Sequence, residues 1–584
     1  MSSAASLAKA AIARGDLIAA YDITVSAIAG GDESSGVRHQ QVLALARMGD
    51  TDRAMEMFNA YRLDGSPHAH ERAAGARLLK DRALALPPGE ARRAALKAAF
   101  EAYHAIHRES GDSFPGINAA ALALLAGDRA RAAALAEALL ADPAVAEAGD
   151  YYRTATRAEA LLILGRSEEA KQALRSPAIA SAADHGARST TSRQLAMIAR
   201  HLGLDEARRS DLLASLAPPR VAHFCGHMFG ADAAAEERLT AAIDRLLDEE
   251  RIGFAYGALA CGADLLFAEA ALARGVELHA VLPFEESDFV AQSVLPGGGG
   301  WEERYRACRD SAASVTLASG MEYFGDPSQY GYASRIAMGL ARLRAQHLGA
   351  EPVQAAIWDG APAGGPAGTG ADVAAWTAQG GRTCTIAPGA VDRNLVRPAP
   401  RVAGGYERTH AAILFTDFAG FSTLRETALP AFWDGVMRRV AEVLDAHDGE
   451  VACRNSWGDA LYAVAATARG AAEIALELQD ALAAFDYATL GLDGTGGMRI
   501  GIHYGPAYRT VDHITGRTTF YGTEVSKAAR IEPVTPPGAV FVTEPMAAIL
   551  ALEAGDRFAC RYVGRIALAK KYGDYPMYRL NRAG

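Results

Sequence analysis

The sequence predicts a multidomain α and α/β protein, with all-α helical repeats first, a Rossmann-like parallel α/β domain in the middle and a C-terminal α+β domain. Three observations predict it. Residues 1–217 are rich in Ala, Leu, Arg and Glu at helical spacing. Beyond Pro218-Pro219 short apolar strands alternate with helices. From Arg408 the order becomes β-α-β-β-α-β, the order of a ferredoxin-like core. At about 100–200 residues per domain, a chain of 584 residues holds three or four domains. The expected division is 1–217, 218–395 and 396–584.

The N-terminal region is punctuated by Gly-Asp or Gly-Arg turns at Gly15, Gly49, Gly127 and Gly165. The segments that follow them are alike: GDLIAAYDITVSAI, GDTDRAMEMFNAY, GDRARAAALAEALL and GRSEEAKQALRSP. Recurrence at this spacing implies stacked helical hairpins or, failing that, an irregular helical domain. The pattern resembles tetratricopeptide repeats, which implies a surface for a protein partner or for contacts within the chain.

In the middle segment RVAHF, RIGFAYGALA and VELHAVLPF read as strands, and 233–249 as a helix. Parallel sheets take ligands at the C-terminal strand ends, where Gly-rich turns let backbone N–H groups approach phosphate. Two such turns occur: GALACGAD, with Gly257, Gly262 and Asp264, and GGPAGTGAD, with Gly365, Gly368, Thr369 and Asp372. PGGGG at 296–300 reads as a mobile loop near the same face. The pair of turns resembles the SLOG superfamily, related to the LOG and DprA proteins. That implies a nucleotide-like ligand on those seven residues. Asp372 stands where the LOG motif has Glu and the proline order differs, which weighs against nucleotide hydrolysis there.

In the C-terminal segment HAAILFTDFAGFSTL is an apolar strand ending at Asp417. EVACRNSW and ALYAVAA are strands joined by Gly458-Asp459, a hairpin signal. The hairpin returns Asp459 beside Asp417. Two converging carboxylates repel unless a cation lies between them. Mg²⁺ held by carboxylates and substrate phosphates suits such a site, and the turn 418–421 offers backbone N–H groups to the phosphates.

Four motifs then resemble the class III adenylate/guanylate cyclases, in family order over about 170 residues: LFTDFAGFS, NSWGDALYAV, GIHYGPA and YGTEVSKAARIE. The resemblance implies conversion of a nucleoside triphosphate, ATP first, to a 3′,5′-cyclic nucleotide and pyrophosphate, with two Mg²⁺ or Mn²⁺ ions per site. It implies metal binding at Asp417, Asp459 and the Phe418 carbonyl, and phosphate contacts at Ala419, Gly420 and Phe421. Arg530 matches the transition-state arginine, and Lys570 or Lys571 the late phosphate-binding lysine. Ser526 replaces the family's ribose-orienting asparagine. Asn455 and Thr519 occupy the base-specifying positions; Asn455 fits adenine without excluding another base. In this family each site lies between two such domains, which implies a homodimer.

The formal net charge of -10 disfavours nucleic acid or anionic lipid as partners. Six scattered cysteines without a CxxC pair suggest a reducing cytoplasm. The N-terminus lacks the pattern of a secretory leader, and no 18-residue stretch reads as a membrane span. Three rival readings remain: a cGMP or pyrimidine cyclase in bacterial defence, a silent cyclase-like binding module, and a SLOG-like nucleotide hydrolase.

Overall fold

The computed structural model describes residues 3–147, 149–180, 183–399, 407–491 and 497–583. The chain divides at the Pro218-Pro219 step. One compact unit runs to Pro218 and takes in His347–Ala350; the other comprises Pro219–Gln346 and Glu351–Ala583.

The first unit is helical throughout. Its elements are α1 (Ala4–Ala13), α2 (Leu17–Ala29), α3 (Ser35–Arg47), α4 (Thr51–Ala60), α5 (Ala69–Ala85), α6 (Glu90–Ser110), α7 (Ser113–Leu125), α8 (Arg129–Ala141), α9 (Pro143–Ala146), α10 (Tyr151–Ile163), α11 (Ser167–Leu174), α12 (Pro177–Ala180), α13 (His185–His201) and α14 (Glu206–Leu213). The recurrent Gly-Asp turns explain the register. The carboxylates of Asp16, Asp50 and Asp128 accept from backbone N–H groups of Ala19, Arg53 and Arg131, capping α2, α4 and α8. The glycine before each cap has positive φ, which ends the preceding helix. Small alanines such as Ala119, Ala120, Ala132 and Ala158 fill the core and allow close helix approach.

The second unit holds two sheets. The first is a six-stranded parallel sheet in the order β4-β3-β2-β1-β5-β6. Its strands are β1 (Arg220–Gly226), β2 (Ile252–Gly257), β3 (Glu277–Leu282), β4 (Ser314–Leu317), β5 (Pro352–Ile357) and β6 (Arg382–Ile386). Connecting helices are α15 (Ala233–Glu249), α16 (Ala263–Ala273), α17 (Glu286–Ser293), α18 (Trp301–Ser311), α19 (Ser328–Leu348) and α20 (Thr369–Ala378). The strand order reverses between β1 and β5, so a crevice opens at their C-terminal ends. The PGGGG segment is a built turn rather than a loose loop. Gly297 is buried with no room for a Cβ beside Cys261 and Trp301, and Gly298 to Gly300 take positive φ into α18.

The second sheet has eight strands in the order β13-β14-β12-β10-β7-β9-β8, with β11 on β10. They are β7 (Glu407–Ala419), β8 (Val451–Trp457), β9 (Ala460–Ala465), β10 (Gly497–Val511), β11 (Thr518–Tyr521), β12 (Val540–Thr543), β13 (Phe558–Ala567) and β14 (Asp574–Arg582). The helix expected after β7 is the short Leu429–Phe432 turn, a π-helical stretch Trp433–Met437, and α22 (Arg438–Ala446), the short turn being α21. Then come α23 (Ala468–Ala483), α24 (Thr523–Ala528) and α25 (Glu544–Glu553). The long pairing of β7 with β10 is the spine of this sheet. The additions beyond the expected core are β11, α24, β12, α25, β13 and β14. No helix among the described residues is long and apolar enough to cross a membrane, and all six cysteines are free.

Candidate functional site

The end of β7 and the β8–β9 hairpin build one acidic site. Asp417 is the third residue from the end of β7, and Asp459 follows Gly458, whose positive φ makes the tight turn. Asp459 Oδ2 accepts from the Phe418 backbone N–H at 3.2 Å. Burial first, then the neighbouring Asp417 carboxyl, pushes Asp459 up to about 6. Arg499 is the β-ladder partner of Asp417 and forms an ion pair with it. Its Nε also lies 3.0 Å from Glu532 Oε1. Burial raises Glu532 to about 7 despite Arg499, and both aspartates add to the rise. Asp417 and Glu532 thus share one guanidinium, and Asp459 lies beside Asp417.

This donor set suits a hard divalent cation. Its oxygens are carboxylates, and the charge they concentrate is already drawing a cation, Arg499. Phe418 has a fully buried ring, packed on Phe432 with centroids 5.1 Å apart, so only its backbone faces the site. Gly420 takes positive φ and starts the turn Phe421–Thr423, so Ala419, Gly420 and Phe421 lie together at the strand end.

The other expected site residues fall elsewhere on this sheet. Arg530 follows α24, and its carbonyl accepts from Ala569 N–H at 3.4 Å. The loop carrying Lys570 and Lys571 is pinned there, because the Tyr572 hydroxyl donates to the Thr523 carbonyl at 3.1 Å. Both lysines have positive φ and are exposed. Ser526 is exposed on α24. Neither Arg530 nor these lysines joins the aspartates within one chain. Asn455 is exposed on β8 and lines a cleft of about 520 Å³ with Arg454, Ser456, Arg517 and α22. Thr519 on β11 approaches β8 at Cys453, with which it shares a hydrogen bond. The pair expected to specify the base therefore lies on neighbouring strands.

A second site opens at the β1/β5 crevice. It is a cavity of about 460 Å³ whose lining includes Asp264, Gly368, Thr369 and Asp372 among the expected residues. Gly257, Gly262 and Gly365 do not line it. Gly257 is needed for packing, since a Cβ there would lie 2.6 Å from the Phe224 carbonyl. Gly262, at positive φ, caps α16 against Phe229 and His227. Gly365 has open space around it. Burial raises the Asp264 carboxyl well above its ordinary range and Asp372 to about 7. Asp264 is only 7% exposed, and its Oδ1 has no hydrogen-bond partner among the described residues.

Residues 406–582 match the family described as "Adenylate and Guanylate cyclase catalytic domain". The C-terminal domain is a class III adenylate/guanylate cyclase domain. Residues 16–125 match "Tetratricopeptide Repeats-Sensor", so the N-terminal helices are repeats of that sensor type. No curated protein matches the chain significantly. Among solved structures, the adenylyl cyclase CyaB from P. aeruginosa is 17% identical, with 31% of this chain and 97% of that one covered, at a TM-score of 0.27. The guanylate cyclase domain of RhGC from Catenaria anguillulae, in complex with GTP, is 17% identical over 30% of this chain and 100% of that one, also at 0.27. The guanylyl cyclase Cya2 is 21% identical over 31% and 95%, at 0.26.

Sequence reasoning missed two residues of the cyclase acidic site, Arg499 and Glu532. The signal was present. Arg499 stands two residues before the GIH motif, and Glu532 ends the AARIE run. What it lacked was the β7–β10 register that sets Arg499 opposite Asp417. In the cavity, His227, Arg393 and Arg397 were also missed. The arginines come from an irregular segment after β6, where periodicity has nothing to report.

Proposed function

We propose that this chain is a homodimeric, Mg²⁺- or Mn²⁺-dependent nucleotidyl cyclase, making cAMP and pyrophosphate from ATP, with the middle cavity sensing a nucleotide-like ligand. The observation that carries the catalytic reading is the convergence of Asp417 and Asp459 at one spot, where burial and then Asp417 raise Asp459. A dead domain has no physical need for such a pair. In the reaction the ribose 3′-oxygen attacks the α-phosphorus, the bond to the β-phosphate oxygen breaks, pyrophosphate leaves, and the hydroxyl proton passes to solvent. Bound at the two aspartates, the metal would lower the pKa of the attacking hydroxyl and offset charge on the leaving group.

The protein's own groups orient the substrate. The turn after Phe418, through Gly420 and Phe421, would offer backbone N–H groups to the phosphates, and Arg530 stabilises charge on the transferring phosphorus from the second chain. Within one chain Arg530 stands apart from the aspartates, which supports a site shared between two copies. Exposed apolar side chains on this domain, Trp457 at 88% and Ile514 at 96%, offer surface for that pairing. Asn455 and Thr519 serve adenine with neutral hydrogen bonds, so discrimination against GTP is modest.

Mixed dimers test the shared site. Asp417→Ala and Arg530→Ala are each expected to be inactive alone. Mixed, they should regain activity, because one of the two sites in a heterodimer is intact. No recovery despite demonstrated subunit exchange refutes the shared site.

The cavity reading rests on its chemistry. It brings together the N-termini of α16 and α20, two arginines and two buried carboxyls beside Tyr323 and Tyr330. Its likeness to the SLOG superfamily remains one of motif, and the helical repeats are assigned to partner docking on the same terms.

A further inference from the structure

Helix α19 has two faces with different neighbours. Tyr330, Ala333, Ser334 and Ala337 line the cavity, and Ser334 Oγ donates to Asp372 Oδ2 at 3.1 Å. Residues 332, 335, 339 and 342 lie on another face by helical spacing, and all four meet the cyclase domain. The Tyr332 hydroxyl donates to the Tyr504 carbonyl of β10 at 2.8 Å, and its ring stacks on His410 of β7 with centroids 4.7 Å apart. Arg335 forms an ion pair with Glu553 of α25 and reaches the Tyr504 hydroxyl at 3.4 Å. Arg342 donates to the Leu552 carbonyl at 3.1 Å. Gly339 allows no slack, because a Cβ there would stand 2.0 Å from the Ala548 carbonyl oxygen.

The strands that α19 touches are the ones that build the catalytic site. Tyr504 pairs with Ala412 in the same β7–β10 ladder in which Arg499 pairs with Asp417. Met338, Trp376 and Leu552 form one buried cluster that joins α19, α20 and α25. A group seated at the N-terminus of α20 therefore adjoins the Asp372–Ser334 contact on one side of α19 while the cyclase strands hold the other.

We propose that the cavity is an effector site for a sugar phosphate or nucleotide, and that α19 carries its occupancy to the cyclase strands β7 and β10. The proposal rests on the cyclase and cavity readings above. The ligand class follows from the lining. Phosphate fits the two helix N-termini with Arg393 and Arg397. A ribose hydroxyl fits the unpartnered Oδ1 of Asp264, and Tyr323 and Tyr330 offer ring faces. A tightly packed interface responds by small rigid shifts of an element rather than by local yielding. A shift of α19 would turn β10 against β7 and change how the acidic site meets the second chain.

Ribose 5-phosphate is the probe of choice, because it carries no base for the catalytic pocket. With the full-length protein, calorimetry is expected to show binding. Cyclase turnover with Mn²⁺ should change about fivefold or more on saturation, in the range of ordinary coupling between sites. In Arg335→Ala and in the milder Tyr332→Phe, binding and basal turnover should persist while the response to ribose 5-phosphate falls below about twofold. Absence of binding to wild type overturns the cavity reading and this proposal with it. Binding without any change in turnover leaves the cavity reading standing and overturns the coupling. A response that survives intact in both variants overturns α19 as its carrier.

Discussion

Two pairs of aspartates in the second unit show how surroundings set what a carboxyl can do. Asp417 and Asp459 sit at a strand end and a hairpin, half-exposed, with Arg499 paired to Asp417. Asp264 and Asp372 sit at helix starts in a cavity, fully buried, and no arginine or lysine pairs with either among the described residues. The first pair lies partly open to solvent at a strand end, where a divalent cation can take it. Burial favours the protonated form of both carboxyls in the second pair, and a protonated carboxyl can donate a hydrogen bond to a ligand oxygen. Both pairs come from the same residue type beside glycines; the difference lies in solvent access and in the neighbouring cation.

The sharpest break in the comparison is at Asp417. Asp417→Ala is expected to cost about 10²–10³-fold in turnover, the scale of losing one strong electrostatic group at a reacting centre. The dimer should remain intact, since the substitution also relieves carboxylate repulsion. Full activity of this variant at saturating Mn²⁺, measured beside its sedimentation profile, would remove the metal assignment.

The cavity pair should show up in stability. The folded pKa of Asp372, about 7, lies above its ordinary 3.8. The folded state therefore keeps its proton when the unfolded chain has lost it. This contribution is fully present below about pH 4 and is lost as pH rises through 7. The shift bounds the effect at about 4 kcal/mol, a ceiling that relaxation around the site will lower. Denaturant unfolding of wild type should weaken across this window, and Asp372→Asn should flatten the slope and be the more stable form at pH 8. An unchanged slope in the variant would place the titration elsewhere. The groups around Asp372 are Ser334 on α19, Gln354 on β5 at the Asp372 backbone carbonyl, the Cys225 thiol and the Asp264 carboxyl, and none carries a positive charge.

At the seam between the two sheets, Gly339→Val should cost about 1–3 kcal/mol, because the new side chain meets the α25 backbone with no cavity to fill. Unfolding midpoints at fixed m-value would read this. The smallest effect belongs to the base. Asn455→Glu is expected to move the ATP-to-GTP ratio of kcat/KM toward GTP by about 1–3 kcal/mol. An unchanged ratio would show that Asn455 faces the cleft beside α22 without touching the base.

Much of the fold was readable in the sequence because its devices are local. Asp16, Asp50 and Asp128 cap helices wherever a Gly-Asp turn precedes them. Gly458-Asp459 makes its hairpin, and the strands around Asp417 and Asp459 fall where alternation puts them. What escaped was set by distant pairing. Arg499 meets Asp417 only through the register of two strands 82 residues apart in sequence. Of the glycines read as phosphate turns, Gly368 opens on the cavity, whereas Gly257 and Gly262 serve packing. A glycine-rich turn looks the same in sequence whether a phosphate or a phenylalanine comes close. The two faces of α19 were invisible for a similar reason, since a helix buried on both sides shows no clean polar stripe.

The most direct test of the central claim is product identification. The full-length protein, incubated with ATP, GTP, CTP and UTP and Mn²⁺, should yield a 3′,5′-cyclic nucleotide and pyrophosphate by mass spectrometry. Mainly cAMP with some cGMP is expected, and both should fall about 10²–10³-fold in Asp417→Ala. Cyclic product from none of the four would contradict the cyclase assignment, and mainly cUMP or cCMP would contradict the choice of ATP.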